Sequence, residues 1–252
     1  RSPSGRTVWC IPSATFEVSS VWTWVIIGSL GYAGVILSHN LTAMMVTPFL
    51  VIAILLYCYI AYRNKKLFTI YYLLFTILLG LMISAFYWIP ALLEMKYTNV
   101  LSQIGGGADF RDHFVCLVQL WDSHWGFGGS AQGCIDGLSF KIGKLHIIGS
   151  LLALILAIFY SKLERIKKII GFSLIGLIIS VFLTLEISRL VWETIPMMAF
   201  FQYPWRFLLL ASFFSSFLSG SIIWFLTIHL GGALRSPPRW AAGIGFAILI
   251  FL

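Results

Sequence analysis

The sequence predicts an all-α fold, a polytopic transmembrane helical bundle with about seven membrane spans and one long outer loop. Three observations predict it. The 252 residues are 60% hydrophobic and 10% charged, with a mean hydropathy of +0.94, whereas a water-soluble domain carries roughly a quarter charged residues. That composition excludes a soluble globular enzyme. The apolar residues gather into runs long enough to cross a hydrocarbon core of roughly 30 Å, which takes about 17 to 25 helical residues. The connections between the runs alternate in charge.

The first span is read at 21–37 and the second at 41–62, with Ser38, His39 and Asn40 as a tight turn between them. The third covers 67–89 and is expected to stop at Pro90, which has no amide hydrogen with which to continue the helical ladder. The fourth is read at 145–160, the fifth at 169–185 and the sixth at 207–228, and the seventh begins near Trp240. Residues 1–252 are read as a single transmembrane domain. The chain is also read as a piece of a longer protein, because it starts at Arg1 and ends in the apolar run 243–252.

One set of connections holds Arg1, Arg6, Arg63, Lys65, Lys66, Lys162, Arg165, Lys167, Lys168, Arg235 and Arg239 against only Glu17 and Glu164. By the positive-inside rule this side faces the cytoplasm of a plasma (inner) membrane. The other set, with six bases and seven acids, faces out. The net charge of +8 therefore belongs to short juxtamembrane loops. Anionic lipid headgroups of the bilayer account for it, and no nucleic-acid partner is needed. The outer side carries a long extracytoplasmic connection at 91–144 and a second at 186–206. The longer one is rich in glycine and punctuated by Trp121, Trp125, Phe127 and Phe140, so chemistry is sought there.

This loop concentrates Asp109, Arg111, Asp112, His113, Asp122, His124 and Asp136. Asp112, His113, Asp122 and His124 are candidate ligands for a divalent cation as cofactor, since such ions take oxygen and imidazole donors. One carboxylate also suits a general base. The competing reading pairs Arg111 with Asp112 in a local salt bridge and leaves the histidines to the loop backbone. His39 and Asn40, where two spans meet, are candidates for binding a phosphate or a sugar hydroxyl; alternatively, Asn40 caps the second helix. Glu186, Arg189 and Glu193 are spaced as on one helix face. Arg206, behind Gln202, Tyr203 and Trp205, is placed to bind an anion at headgroup level, or else belongs to an interfacial aromatic belt. Cys116 and Cys134 share the outer loop and could be bridged if the compartment is oxidising, though spacing alone does not establish that the two side chains meet, while Cys10 and Cys58 stay reduced on the other side.

The runs Leu37-Ser38-His39-Asn40-Leu41-Thr42-Ala43, Ser84 to Glu94, Phe110-Arg111-Asp112-His113-Phe114-Val115, Trp121 to Gly129, Asp136-Gly137 and Phe201-Gln202-Tyr203-Pro204-Trp205-Arg206-Phe207 resemble, in this order, bacterial membrane proteins labelled "6-pyruvoyl-tetrahydropterin synthase-related". A true pyruvoyl-tetrahydropterin synthase is a small soluble zinc enzyme, and nothing here resembles its ligand set, so pterin chemistry is set aside. The membrane family looks like the GT-C class of glycosyltransferases. The resemblance implies transfer of a sugar from a polyprenyl-phosphate donor to an acceptor on the outer face. Its outer loops would form the site, with His39, Asn40, Arg111, His113, Trp121, Asp136, Gln202 and Arg206 binding substrate. In that class the catalytic acid lies in the first outer loop, near the N-terminus, upstream of the residues present here, so Asp112 stands as its substitute. The rival from another class is a non-enzymatic transporter, lipid-handling or structural envelope protein. A carrier of ions is disfavoured by spans nearly free of charge.

Overall fold

The computed structural model describes residues 13–65, 67–99, 108–159 and 164–230. Among them there are helices and turns but no strand, only a single parallel bridge between Val115 and Leu185. The chain divides into two compact units, Arg1–Tyr97 and Thr98–Leu252.

The first unit holds α1 (Ser13–Ser38), α2 (Asn40–Arg63), α3 (Leu67–Ile83) and α4 (Ala85–Glu94), followed by a 3-10 turn at Met95–Tyr97. The three long helices pack on one another through small and hydroxylated residues. Fully buried Ser29 of α1 donates within its own helix to Val25 O (2.8 Å) and across to Thr76 O of α3 (3.0 Å). Such hydrogen bonds, with the close backbone approach that small residues allow, join helices whose outward faces are apolar. The outward faces remain apolar, as at Trp24, Leu55 and Phe68. α1 begins at Ser13, so Glu17, expected in a loop, lies within the helix.

The third apolar run is broken, but not at Pro90. Pro90 lies inside α4, and the chain bends by 66° where α3 ends and α4 begins, at Ser84. The Ser84 hydroxyl donates to Gly80 O (2.9 Å) and Leu81 O (3.3 Å), competing with the helical ladder. The Trp88 indole N–H then donates to Leu81 O at 3.0 Å, giving that carbonyl a partner at the bend. At Pro90 only one ladder bond is missing, and α4 runs past it.

The second unit holds α5 (Leu117–Trp121), α6 (Lys144–Phe159), α7 (Glu164–Thr184), α8 (Arg189–Thr194) and α9 (Leu208–Leu230). α9 packs against both α6 and α7. On α6 the buried residues Gly149, Ser150, Ala153 and Ala157 recur at helical spacing. A Cβ on Gly149 would run into Ser219, and one on Gly176 of α7 would meet the Phe214 ring. The missing side chains are what let α9 approach both neighbours.

Among the described residues four helices are long and apolar enough to cross a membrane, at Val21–Ser38, Asn40–Arg63, Lys167–Thr184 and Pro204–Ile222. The bent pair Leu67–Ile83 and Ala85–Tyr97 makes five if it counts as one span, and α6 is shorter, at 16 residues. The expected seventh run, from Trp240, lies outside the described residues. The connection expected to start at Ala91 starts later, because α4 and the following turn continue to Tyr97. Residues 186–206, read as a loop, are mostly 3-10 turns around α8.

Substitution of Gly149 by valine should separate α6 from α9 and destabilise the second unit by about 1 to 3 kcal/mol, the usual cost of overpacking. A lowered melting temperature in detergent would report it. Gly171→Ala, at a position with open space around the Cβ, is the control expected to change little.

Candidate functional site

The end of the second unit where α7 finishes and α9 starts is covered by residues 108–143. Val115 N–H donates to Thr184 O (2.9 Å), and Ile142 N–H to Leu120 O (3.1 Å). Val115, Leu120 and Phe140 bury together against Val181, Leu185, Trp205 and Leu208. A second apolar centre forms around Trp192 of α8, which is 1% exposed. Its ring stacks on Phe110 (5.3 Å) and meets Phe114, Phe201 and Phe207 edge-on, while its indole N–H donates to Leu183 O at 3.1 Å. One side chain thereby joins the start of the cap to both turns that precede α9.

The structure closes the disulfide that spacing alone leaves open. Cys116 and Cys134 are bonded, with a Cα–Cα distance of 5.6 Å and a sequence separation of 18. Closing a loop of that length removes about 3 kcal/mol of unfolded-state entropy in the chain-entropy picture. Cys58 is a free thiol, and Cys10 lies outside the described residues. Inside the bridged loop, Asp136 is a clamp. Its carboxylate accepts from Gln119 Nε2 (2.8 Å), Ser123 Oγ (2.7 Å) and His124 N (3.1 Å). The Ser123 and Gln119 hydrogen bonds, with the His124 amide, hold this carboxyl below the usual aspartate range. Gln119 Oε1 in turn accepts from Cys116 N–H at 2.9 Å, which joins the clamp to the disulfide.

Beside the bridge lies an open pocket of about 290 Å³ lined by Arg111, Asp112, Phe114, Val115, Cys116, Gln132, Gly133, Glu186 and Arg189. The local Arg111–Asp112 salt bridge does not form. Phe110–Asp112 is a 3-10 turn capped by Asp109, whose side chain accepts from Arg111 N–H, and adjacent residues on such a turn point to different sides. Arg111 pairs instead with Asp109 (3.2 Å) and with Glu193 (3.2 Å). Arg189 bridges Glu193 (3.2 Å) and Glu186 (2.8 Å), as the three- and four-residue spacing predicts. Hydrogen bonds from Arg189 and then Arg111 hold Glu193 below the ordinary glutamate range, and Glu193 pushes both guanidinium groups up. These pairs are exposed and screened by solvent, so each contributes little, and the disulfide and Trp192 outweigh them in holding the cap. What the pairs do is orient the pocket wall. The Asp112 carboxylate makes no hydrogen bond or ion pair among the described residues and stays available within that wall.

Arg206 is differently placed. The chain before it makes a γ-turn, with Gln202 at φ 62° and ψ −46° and Tyr203 N–H donating to Phe201 O at 2.6 Å. This conformation is rare for a side-chain-bearing residue and costs of order 1 to 3 kcal/mol. Arg206 braces it by donating from Nη1 to Phe201 O (2.8 Å) and Gln202 Oε1 (3.4 Å). Its guanidinium lies over the Tyr203 ring at 4.9 Å. The other rings expected to sit as headgroup anchors are turned onto the cap: Tyr203 stacks on Trp205 (5.5 Å), and the Trp205 indole N–H donates to Ser130 Oγ (2.9 Å). Ser130 Oγ also meets His113 Nδ1 at 2.7 Å, and the buried His113 ring meets Tyr203 at 4.7 Å. Arg206 has no carboxylate partner among the described residues.

The structure thus gathers His113, Gln202 and Arg206 into one cluster and Arg111 and Asp112 into the adjoining wall. Trp121 lies outside the pocket lining, exposed beneath the Lys144 ammonium. His124 is exposed near Asp136 (3.8 Å), and Asp122 is exposed at the end of α5. Among the described residues no group of three or more His, Cys, Asp or Glu is placed to hold a metal ion, so Asp112, His113, Asp122 and His124 do not converge on one. His39 and Asn40 belong to the first unit. The cap of α2 is His39, not Asn40: His39 Nδ1 accepts from Thr42 N–H at 3.1 Å, while Asn40 Oδ1 accepts from Leu41 N–H. Ser130, Gln119, Ser123 and Trp192 were not singled out by sequence. Only Trp192, a tryptophan between the charges of α8, carried a signal that pointed to it.

Because the Asp136 carboxyl lies below its ordinary range in the folded chain, its stabilisation is complete above the unfolded value and is lost as pH falls through the folded one. Hydrogen exchange at residues 119–124 and 136–140 should therefore become faster relative to the intrinsic rate of an unprotected amide at the same pH, below about pH 4. Asp136→Asn, which places an amide against the donors, should show the faster exchange already at neutral pH, with only the Glu193 part of the acid response left. No family model matches the chain, and neither a curated protein nor a solved structure does.

Proposed function

We propose that the chain is part of a multi-pass plasma-membrane glycosyltransferase of the GT-C kind, with about seven spans and the capped end of the second unit on the outer face. It would transfer a sugar from a polyprenyl-phosphate donor to an acceptor hydroxyl. The observation that carries the reading is Arg206. A half-buried guanidinium without a carboxylate partner among the described residues stands in the turn that leads into α9. The peptide dipoles at a helix start add to its positive potential, so a phosphate is the group that would compensate both. Arg189, the other basic candidate, already carries two carboxylates.

In this mechanism the lipid tail stays in the bilayer while its phosphate rests on Arg206, which offsets the charge that develops as the bond between the anomeric carbon and the phosphate oxygen breaks. The acceptor oxygen forms the new bond to that carbon and gives its proton to Asp112, the pocket carboxylate with lone pairs unspent. The two groups are connected through the fold. Asp112 precedes His113, and the His113 ring abuts Tyr203, on whose ring Arg206 lies.

The test is transfer of labelled sugar from polyprenyl-phosphate sugar by the complete protein in membranes. Asp112→Asn should lower the rate by about 10²- to 10⁴-fold, the usual worth of a general base. Arg206→Ala should lower it by about 10²- to 10³-fold, with Arg206→Lys falling less. No transfer by the wild type from any donor would move the reading to a lipid-handling or structural protein, and unaffected variants would move the site away from these residues.

A further inference from the structure

α5 has its polarity reversed for a helix on an aqueous surface. Its one polar residue, Gln119, is 4% exposed, whereas Leu117, Val118 and Trp121 are 71%, 75% and 47% exposed. Gln119 is buried because both ends of its amide are used, by Cys116 N–H and by Asp136. That leaves the apolar side chains facing out, where water would penalise them.

The position of α5 says what meets them. The Ile142 N–H to Leu120 O bond and the Lys144 ammonium over the Trp121 ring (5.6 Å) hold α5 beside the first turn of α6. α6 turns its small residues to α9 and exposes Leu145, Ile148, Leu152 and Ile155, a stripe at helical spacing that faces lipid if the apolar helices cross a membrane. With 16 residues it is about 24 Å long, shorter than a hydrocarbon core of roughly 30 Å. Leu117, Val118 and Trp121 extend its apolar surface beyond its first residue. A tryptophan beneath a lysine is the chemistry of the headgroup boundary, where the indole lies at the acyl edge and the ammonium reaches phosphate. Exposed Lys141 and Lys144 outweigh the exposed Asp122 there.

We infer that α5 is an interfacial helix, seated at the boundary between phospholipid headgroups and acyl chains, which completes the short span α6 and anchors the cap to the bilayer. The inference rests on the membrane reading of the apolar helices and is independent of sugar transfer.

A photoreactive benzoyl-phenylalanine at position 118, in purified full chain reconstituted in vesicles of phosphatidylethanolamine and phosphatidylglycerol, tests it. Illumination should yield phospholipid adducts by mass spectrometry at position 118, comparable with those at position 145 on α6 and several-fold above those at position 132 on the pocket rim. Lipid adducts at 145 with none at 118 above the 132 level would overturn the interfacial helix alone. Adducts from 118 to a second copy of the chain would overturn it in favour of a protein contact, and absence of lipid adducts at 145 would overturn the membrane reading beneath it.

Discussion

A polypeptide that leaves the helix at the end of a bundle of apolar helices must find partners for its backbone groups, and in the second unit that need is met at the end of α7. The bond from Val115 N–H to Thr184 O fixes where residues 108–143 enter, and the Cys116–Cys134 bridge closes the loop that follows. Within that loop the Asp136 carboxylate takes three donors that would otherwise need water. Magnitudes rank these contributions. Loop closure, at about 3 kcal/mol, exceeds any one of the exposed, solvent-screened ion pairs. The cap is therefore held by a covalent bridge, a hydrogen-bonded carboxylate and the aromatic contacts of Trp192, and its surface charges are left to shape the pocket.

Two kinds of cation result. Arg111 and Arg189 share Glu193 and have further carboxylates of their own, so they present rigid donors with little net attraction for an anion. Arg206 is spent on two weaker acceptors, a carbonyl and an amide oxygen, and on the face of Tyr203. Its two hydrogen bonds flank Gln202, whose φ is 62°.

Much of the fold was legible because apolar length and charge alternation are local properties of the sequence. So were the Glu186, Arg189 and Glu193 pairs, whose spacing fits one helix face. The two cysteines were legible as a pair only through their shared loop. The break in the third run was misplaced because Pro90 advertises a lost hydrogen bond, whereas Ser84 breaks the ladder through a side-chain bond that any serine can make or decline. Arg111 was given the wrong partner for a related reason: neighbours in sequence diverge on a 3-10 turn, and Glu193, 82 residues away, could not be foreseen from spacing. His39 capped α2 in place of Asn40 because an imidazole nitrogen also serves as acceptor for a helical N–H. Ser130 and Gln119 owe their roles wholly to contacts made on folding.

The proposed sugar transfer depends most on Arg206 recognising a lipid-borne phosphate. Native mass spectrometry of the full protein with polyprenyl phosphate, wild type against Arg206→Gln, measures that directly, before any chemistry. Retention by the wild type and a loss of about tenfold or more in the variant, as expected when a charge-assisted pair is removed, is the predicted result. Equal retention by both would contradict it and leave Arg206 as a brace for the turn at Gln202.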